Sequence, residues 1–358
     1  AGKTAKDLLT LFCTLLDALY EETMAVLKSC EIDFNNPPQR PEPLISINDV
    51  TIGSPGNLLC ITGSEGSGKT NYLGGLISGA ICSIENIIDT LGTDIKNNSN
   101  SKAVIIYDTE QSEDQLYRNL SFILKRALLP APPTWFKAYC MVGLSRKDRM
   151  QSIFQSLDKF HYEYGGIHMV VIDGIADLID GVNDEEKSVA LIDELFRLAG
   201  IYRTCIICVL HMSPSGMKLR GHLGSEMQRK ASGILSIEKD DDTNISIVKA
   251  LKVRDGNALD VPLIQFQWDK EKNHHVYIGP KSKEDSVLSK VSDLSKVAIE
   301  IFGNKSSYSY QDLIGALSES LGVKERMARN YLKFMKEHEI IAKTGNETNM
   351  YTLAIAPY

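Results

Sequence analysis

The sequence predicts an α/β protein. Its mostly parallel central sheet is flanked by helices, a helix precedes it and a small C-terminal unit follows. Three observations predict this class. Short apolar runs rich in β-branched residues alternate with helical stretches between Ile45 and about Pro280. The first of those runs leads into the glycine-rich stretch TGSEGSGKTN, residues 62–71, and a helical stretch follows it. A polar segment at 280–286 then precedes a shorter region with its own apolar periodicity.

Size and charge narrow the possibilities. With 358 residues, 43% hydrophobic and 24% charged, the chain can bury one large core and carry a second small domain. A net charge of −7 argues against a surface that binds polyanions everywhere, so nucleic-acid contact must come from local basic patches. No apolar run approaches the roughly 18 residues of a spanning helix, and the opening AGKTAKDLLT lacks a signal-peptide layout. A soluble, cytoplasmic protein with no membrane partner is expected. Of the seven cysteines, Cys205 and Cys208 form C-x-x-C within RTCIICVLH. That run reads as a buried strand, on which positions three apart face opposite sides, so reduced core cysteines are expected in place of a redox or zinc pair.

In chain order, residues 3–30 set Leu8, Leu9, Phe12, Leu15, Leu16, Leu19, Ala25 and Val26 mostly three and four apart, the spacing of an amphipathic helix. The prolines of FNNPPQRPEP stop that helix and make a linker, so 1–43 is one region. It docks on its own core or on a neighbouring subunit. Region 44–280 holds four predicted parallel strands: NLLCITG (57–63), KAVIIYDTE (102–110), IHMVVIDG (167–174) and TCIICVLHM (204–212). The more closely spaced SGILSIEKD, NISIVKALKVR, VPLIQFQWD and HHVYIG predict an antiparallel extension. Region 281–358 begins within the polar linker PKSKEDS (280–286). VSDLSKVAIEIFG, YQDLIGALSESLG and the stretch after a turn at Gly322 read as three helices, and two strands close the chain. This is a winged helix-turn-helix layout. Lys324, Arg326, Arg329, Lys333 and Lys336 lie on the third helix, opposed by Glu325. A basic helix face suits the major groove of DNA, and protein docking is the alternative.

The glycine-rich stretch carries the chemistry. Gly63, Ser64, Glu65, Gly66, Ser67, Gly68, Lys69 and Thr70 spell G-x-x-x-x-G-K-[ST] between a strand and a helix. Glycines let successive N–H groups turn around a phosphate, and the helix start adds its positive dipole end. Lys69 can reach the β- and γ-phosphates, and the Thr70 hydroxyl can ligate Mg²⁺. Asp173 ends a buried strand, where ligands of open α/β sheets bind, and is the second candidate metal ligand. Gly174 follows it, so the general base must come from elsewhere. Glu110 ends another strand and can accept a proton from water, with Asp108 as the alternative.

Together these features resemble the RecA-like ATPase superfamily and, within it, the RepA-type replicative helicases of plasmids and mobile elements, relatives of the DnaB group. The similarity covers 44–280, in the motifs GSEGSGKT, YDTEQSEDQLY, VVIDG, VLHMSPSG and RGHLGSEMQRKAS. The resemblance implies a RecA-like core that uses ATP and Mg²⁺, with Glu110 as catalytic glutamate. It implies that Tyr117 stacks on adenine, that Asp114 meets the adenine amino group and that His211 senses the γ-phosphate. Segment 213–230 would be a channel loop whose Lys218, Arg220, Arg229 and Lys230 touch the backbone of single-stranded DNA. Lys252 and Arg254, two apart on one strand face, would reach a neighbour's ATP, with Arg220 as a rival. That implies a homo-oligomer, a hexameric ring. The acidic GIADLIDGVNDEEKS after Asp173 departs from a basic channel. A recombinase or loading ATPase, and an ATP-switched DNA-binding regulator, are the competing functions.

Overall fold

The computed structural model describes residues 4–84, 87–212, 219–240, 244–281, 283–321, 323–344 and 350–354, with the side chains of 5–8, 259, 283–286, 289 and 304 aside. Ala1–Glu42 form one compact unit and Pro43–Tyr358 the other. In the first unit, α1 (Ala5–Ser29) is the helix its spacing predicts. Its apolar stripe, including Leu9, Phe12, Leu15, Leu16, Leu19 and Val26, is exposed. Among the described residues no helix is long and apolar enough to cross a membrane.

The second unit opens with β1 (Ile45–Ile47), β2 (Val50–Gly53), β3 (Asn57–Gly63), α2 (Lys69–Ile81) and β4 (Asp94–Ile95). There follow β5 (Ala103–Asp108), α3 (Glu113–Arg126), β6 (Phe136–Cys140), α4 (Arg146–Glu163) and β7 (Ile167–Asp173). Then come α5 (Glu185–Tyr202), β8 (Cys205–His211), α6 (Gly221–Lys230), β9 (Gly233–Lys239), β10 (Ile245–Val253), β11 (Ile264–Asp269) and β12 (His274–Pro280). Nine of these strands form one sheet in the order β12-β11-β10-β9-β3-β8-β7-β5-β6. From β9 to β6 every pairing is parallel. The pairings of β9 with β10, β10 with β11 and β11 with β12 are antiparallel, the extension expected from the close strand spacing.

A buried apolar layer covers each face of the sheet. On one face Leu59, Ile61, Val104, Ile106, Val171 and Ile207 pack against Tyr72 and Leu76 of α2 and Ile123 of α3. On the other, Leu58, Ile105, Tyr107, Val170, Ile172 and Ile206 pack against α4, α5 and α6. Burial on both faces is why these strands read as unbroken apolar runs. Cys205 belongs to the first layer and Cys208 to the second, so the C-x-x-C pair faces opposite ways. Burial pushes the Cys205 thiol up to about 12.

Two features were not visible in the sequence. β6 is the sheet edge, and its Lys and Tyr positions broke the apolar signal. The second is a small sheet of order β2-β1-β4, built from strands of two to four residues.

The C-terminal part comprises α7 (Lys283–Asn304), β13 (Tyr308–Ser309), α8 (Tyr310–Leu321), α9 (Glu325–Glu337), β14 (Ile341–Thr344) and β15 (Met350–Leu353). Leu294, Val297, Ile301, Leu313, Leu317, Leu332 and Met335 form its own core, capped by Ile341 and Tyr351. The three strands run antiparallel in the order β13-β15-β14. α7 begins at Lys283, inside the stretch read as a linker, and the expected turn at Gly322 lies outside the described residues. An ion pair between Lys249 of β10 and Asp293 of α7 ties this part to the central sheet.

Candidate active site

The site lies where β3, β5, β7 and β8 end side by side. β3 delivers the chain into the loop 63–68, and α2 leaves it at Lys69. Gly68 is the residue ahead of α2, at φ +104°, and a β-carbon there would stand 2.7 Å from Ser246 Oγ of β10. Only glycine fits that conformation and that gap. No side chain caps α2, so its first N–H groups are available to a ligand oxygen. Ser246 Oγ in turn donates to Ser67 O at 2.9 Å, which fixes the loop against β10.

Lys69 is buried, and its Nζ donates to Ser64 O at 2.7 Å and Gly63 O at 3.1 Å. Burial holds its pKa below the usual lysine value, while Glu110, Asp173 and Glu65 pull it upward. Ser67 Oγ is buried and has no hydrogen-bond partner among the described residues. An orphaned hydroxyl beside uncapped helix amides suits a phosphate oxygen, so the loop fits a nucleoside triphosphate.

β5 and β7 pair in parallel and set Asp108 opposite Asp173. Asp173 is buried, and its carboxyl is raised from the ordinary 3.8 to about 7. Burial is the main cause, with Asp108 and Glu110 adding to it, and Lys69 opposes it. Thr70 and Asp173 line one cavity of about 100 Å³, together with Asp108, Gln111 and Asn119. A hydroxyl and a carboxylate in one pocket are the oxygen donors Mg²⁺ takes, so these residues fit the ion.

Asp108 and Glu110 differ in what surrounds them. Asp108 Oδ1 accepts from Glu110 N at 3.0 Å and Gln111 N at 2.7 Å, and Oδ2 accepts from Gln111 Nε2 at 2.6 Å. It is a buried turn-former. The Glu110 side chain is 35% exposed, and its Oε2 lies 3.4 Å from His211 Nε2 at the end of β8. Thr109, which the sequence did not single out, joins the two strand ends. Its Oγ1 bonds to Asp173 O and Gly174 O, each at 2.9 Å.

A phosphate loop after β3, with a buried aspartate and an exposed glutamate at the neighbouring ends of β7 and β5, is the set of groups a P-loop ATPase requires. Residues 20–217, which span all of these groups, match the family model described as AAA domain. The chain belongs to the AAA domain family. No curated protein matches it. Among solved structures, the crystal structure of the RadB recombinase is similar at 16% identity and a TM-score of 0.39, over 63% of this chain and 93% of that chain.

The remaining expected site residues of this AAA-domain ATPase are placed as follows. Asp114 and Tyr117 lie on α3. Asp114 pairs with Arg118 at 2.9 Å and Tyr117 is 70% exposed. Neither lines the cavity that holds Thr70 and Asp173. Lys252 and Arg254 point the same way, as their spacing predicts, and that way is onto their own chain. Lys252 Nζ donates to Gln228 O and, at 3.4 Å, to Arg229 O. Arg254 Nη2 donates to Arg229 O at 3.3 Å and Lys230 O at 3.4 Å. Both cations sit on the carbonyl end of α6, where the helix dipole favours them.

The expected loop 213–230 requires correction, because its second half is α6. Leu223 and Met227, four apart, are buried beneath α5, and Gly224 allows Leu219 to approach where a β-carbon would stand 2.5 Å away. Gly224 of that segment thus serves helix packing. Lys218 lies outside the described residues. Arg220 is exposed at the start of α6. Arg229 pairs with Glu226 at 2.6 Å, and Lys230 pairs with Asp193 at 2.7 Å. These two cations are thus engaged by carboxylates of the same chain. In the C-terminal part, Lys324 is exposed at the N-cap of α9 and Arg326, Arg329 and Lys333 are exposed along it, away from the buried Ala328, Leu332 and Met335. Arg329 pairs with Glu325 at 3.1 Å and Lys333 with Glu337 at 3.7 Å.

Proposed function

We propose that this ATPase is a ring-forming motor on single-stranded DNA, a replicative helicase of the RepA and DnaB kind acting in plasmid or mobile-element replication or transfer. The observation that carries the hydrolytic part is the apposition of Glu110, His211 and Asp173 beside the phosphate loop. Loop amides 63–70 and Lys69 hold the triphosphate. Thr70 and Asp173 hold Mg²⁺, which when bound neutralises charge on the phosphate oxygens. Glu110 is placed to take the proton of the attacking water, because Asp108 already accepts three hydrogen bonds within its own turn. His211, touching Glu110, is placed to register the γ-phosphate and relay its loss to the segment after β8. Lys252 or Arg254, released from the end of α6, would serve a neighbouring subunit's nucleotide.

The DNA part is supported by the exposed cations of α9 and by Arg220. We read the C-terminal part as a winged helix on its layout of three helices and a short antiparallel sheet. The same basic α9 face favours a second reading, an ATP-switched regulator that binds duplex DNA. Turnover measured with and without single-stranded DNA, beside the solution mass and unwinding of a forked duplex, separates the two. Stimulated turnover, a ring-sized mass and unwinding are expected. Indifference to single-stranded DNA with specific duplex binding would overturn the motor.

A further inference from the structure

Gln111 follows the exposed glutamate directly, and its side chain reaches both buried carboxylates. Its Nε2 donates to Asp108 Oδ2 at 2.6 Å and lies 3.5 Å from Asp173 Oδ2. Its Oε1 accepts from Asn119 Nδ2 of α3. All four residues line the cavity that also holds Thr70. The amide has two N–H groups and one acceptor oxygen. With Asn119 on the oxygen, the N–H groups face the carboxylates and the flipped amide, which would set oxygen against oxygen, is disfavoured. The start of α3 fixes the Gln111 backbone: Ser112 and Gln115 form a reciprocal capping box there.

We propose that Gln111, oriented by Asn119, is a positioning residue of the nucleotide site, bridging the Asp108 and Asp173 carboxylates and so setting the Asp173 oxygens for Mg²⁺. Two buried carboxylates on neighbouring strand ends repel, and a shared amide donor is what holds them at fixed separation. Through Asp108, which accepts the Glu110 and Gln111 N–H groups, the same bridge fixes the turn that presents Glu110. The assignment rests on reading Thr70 and Asp173 as the metal-holding pair.

The test measures equilibrium binding of a fluorescent ATP analogue, with Mg²⁺ and with EDTA, and turnover, for wild type, Gln111→Ala, Asn119→Ala and the double variant. Groups that orient a metal ligand change metal affinity by about tenfold to a hundredfold. Gln111→Ala is therefore expected to weaken binding by about tenfold in Mg²⁺ and by less than about twofold in EDTA. Asn119→Ala is expected to give a smaller loss of the same kind. The double variant should match Gln111→Ala alone, since both changes remove one bridge. Equal losses in Mg²⁺ and EDTA, or additive losses in the double variant, would overturn the proposal. If Gln111→Ala does not fold, Asn119→Ala decides by the same Mg²⁺-against-EDTA comparison. Wild type that binds no ATP in either buffer would sink the ATP site and this assignment with it. Wild-type binding with unchanged Gln111→Ala would sink the assignment alone.

Discussion

The Glu110 carboxylate rests against Gly174. A β-carbon on that glycine would stand 2.9 Å from Glu110 Oε1 and 2.7 Å from its Cγ. Gly174 also sits at φ +89°, a conformation few other residues adopt without strain. The space just past β7 is thus kept empty, and Thr109 and Glu110, just past β5, fill it; a β-carbon there would stand 2.3 Å from Thr109 Oγ1.

Gly174→Ala should therefore displace Thr109 and Glu110 and strain the backbone at a cost of about 1–3 kcal/mol. Turnover should fall by at least about tenfold while ATP binding is nearly kept, because the phosphate loop is untouched. Single-turnover kinetics with a melting curve checks this. Full turnover in a folded variant would show that the position of Glu110 does not matter.

Lys69→Ala should abolish ATP binding or turnover, since the only ammonium among the described residues that bonds to Gly63 O and Ser64 O is lost. Glu110→Gln should keep binding and lose about a hundredfold or more in hydrolysis, the usual worth of a positioned base. Nucleotide binding by calorimetry and phosphate release distinguish the two. Hydrolysis surviving in Glu110→Gln would move the base to Asp108 or elsewhere.

Asp173 makes metal-free stability depend on pH. Its carboxyl is raised from 3.8 to about 7, chiefly by burial. The folded protein keeps a proton that the unfolded chain releases, so this group's contribution is most favourable at low pH and is lost as pH rises through that window. Above it the folded state carries the full cost of an ionised buried acid, on the order of a few kcal/mol. In EDTA, Asp173→Asn should melt above wild type near about pH 8, with the gap closing toward about pH 4. A gap independent of pH would show that the carboxyl does not titrate in this range. Mg²⁺ should favour the ionised form and narrow the gap at high pH in wild type.

Arg254 makes two in-chain bonds to carbonyls at the end of α6. If it also serves a neighbour, mixing Arg254→Ala subunits with Glu110→Gln subunits should restore part of the activity that each lacks. If the in-chain bonds are its whole role, Arg254→Ala should lower the melting temperature slightly and mixtures should show no rescue. Turnover against mixing ratio separates these outcomes.

The sequence by itself determined the parallel strands around the phosphate loop and their antiparallel extension, the loop's own residues, and Asp173 as the acid ending β7; the order of the strands in the sheet came from the structure. These signals are local: glycine spacing, unbroken apolar runs and an acid at a strand end report on segments of fewer than ten residues. The helical stripe of α1 and the opposed cysteines 205 and 208 were legible for the same reason. Tertiary structure decided the rest. Asp108 and Glu110 stand two apart and look alike in sequence, and only their partners, Gln111 for one and His211 with Gly174 for the other, tell them apart. The basic residues of 220–230 read as a loop until α5 packed over Leu223 and Met227 and carboxylates took up Arg229 and Lys230. Lys252 and Arg254 show their direction, but not the carbonyls that receive them. Each of these outcomes turns on hydrogen bonds and packing between residues far apart in the chain, and local periodicity carries no record of such partners.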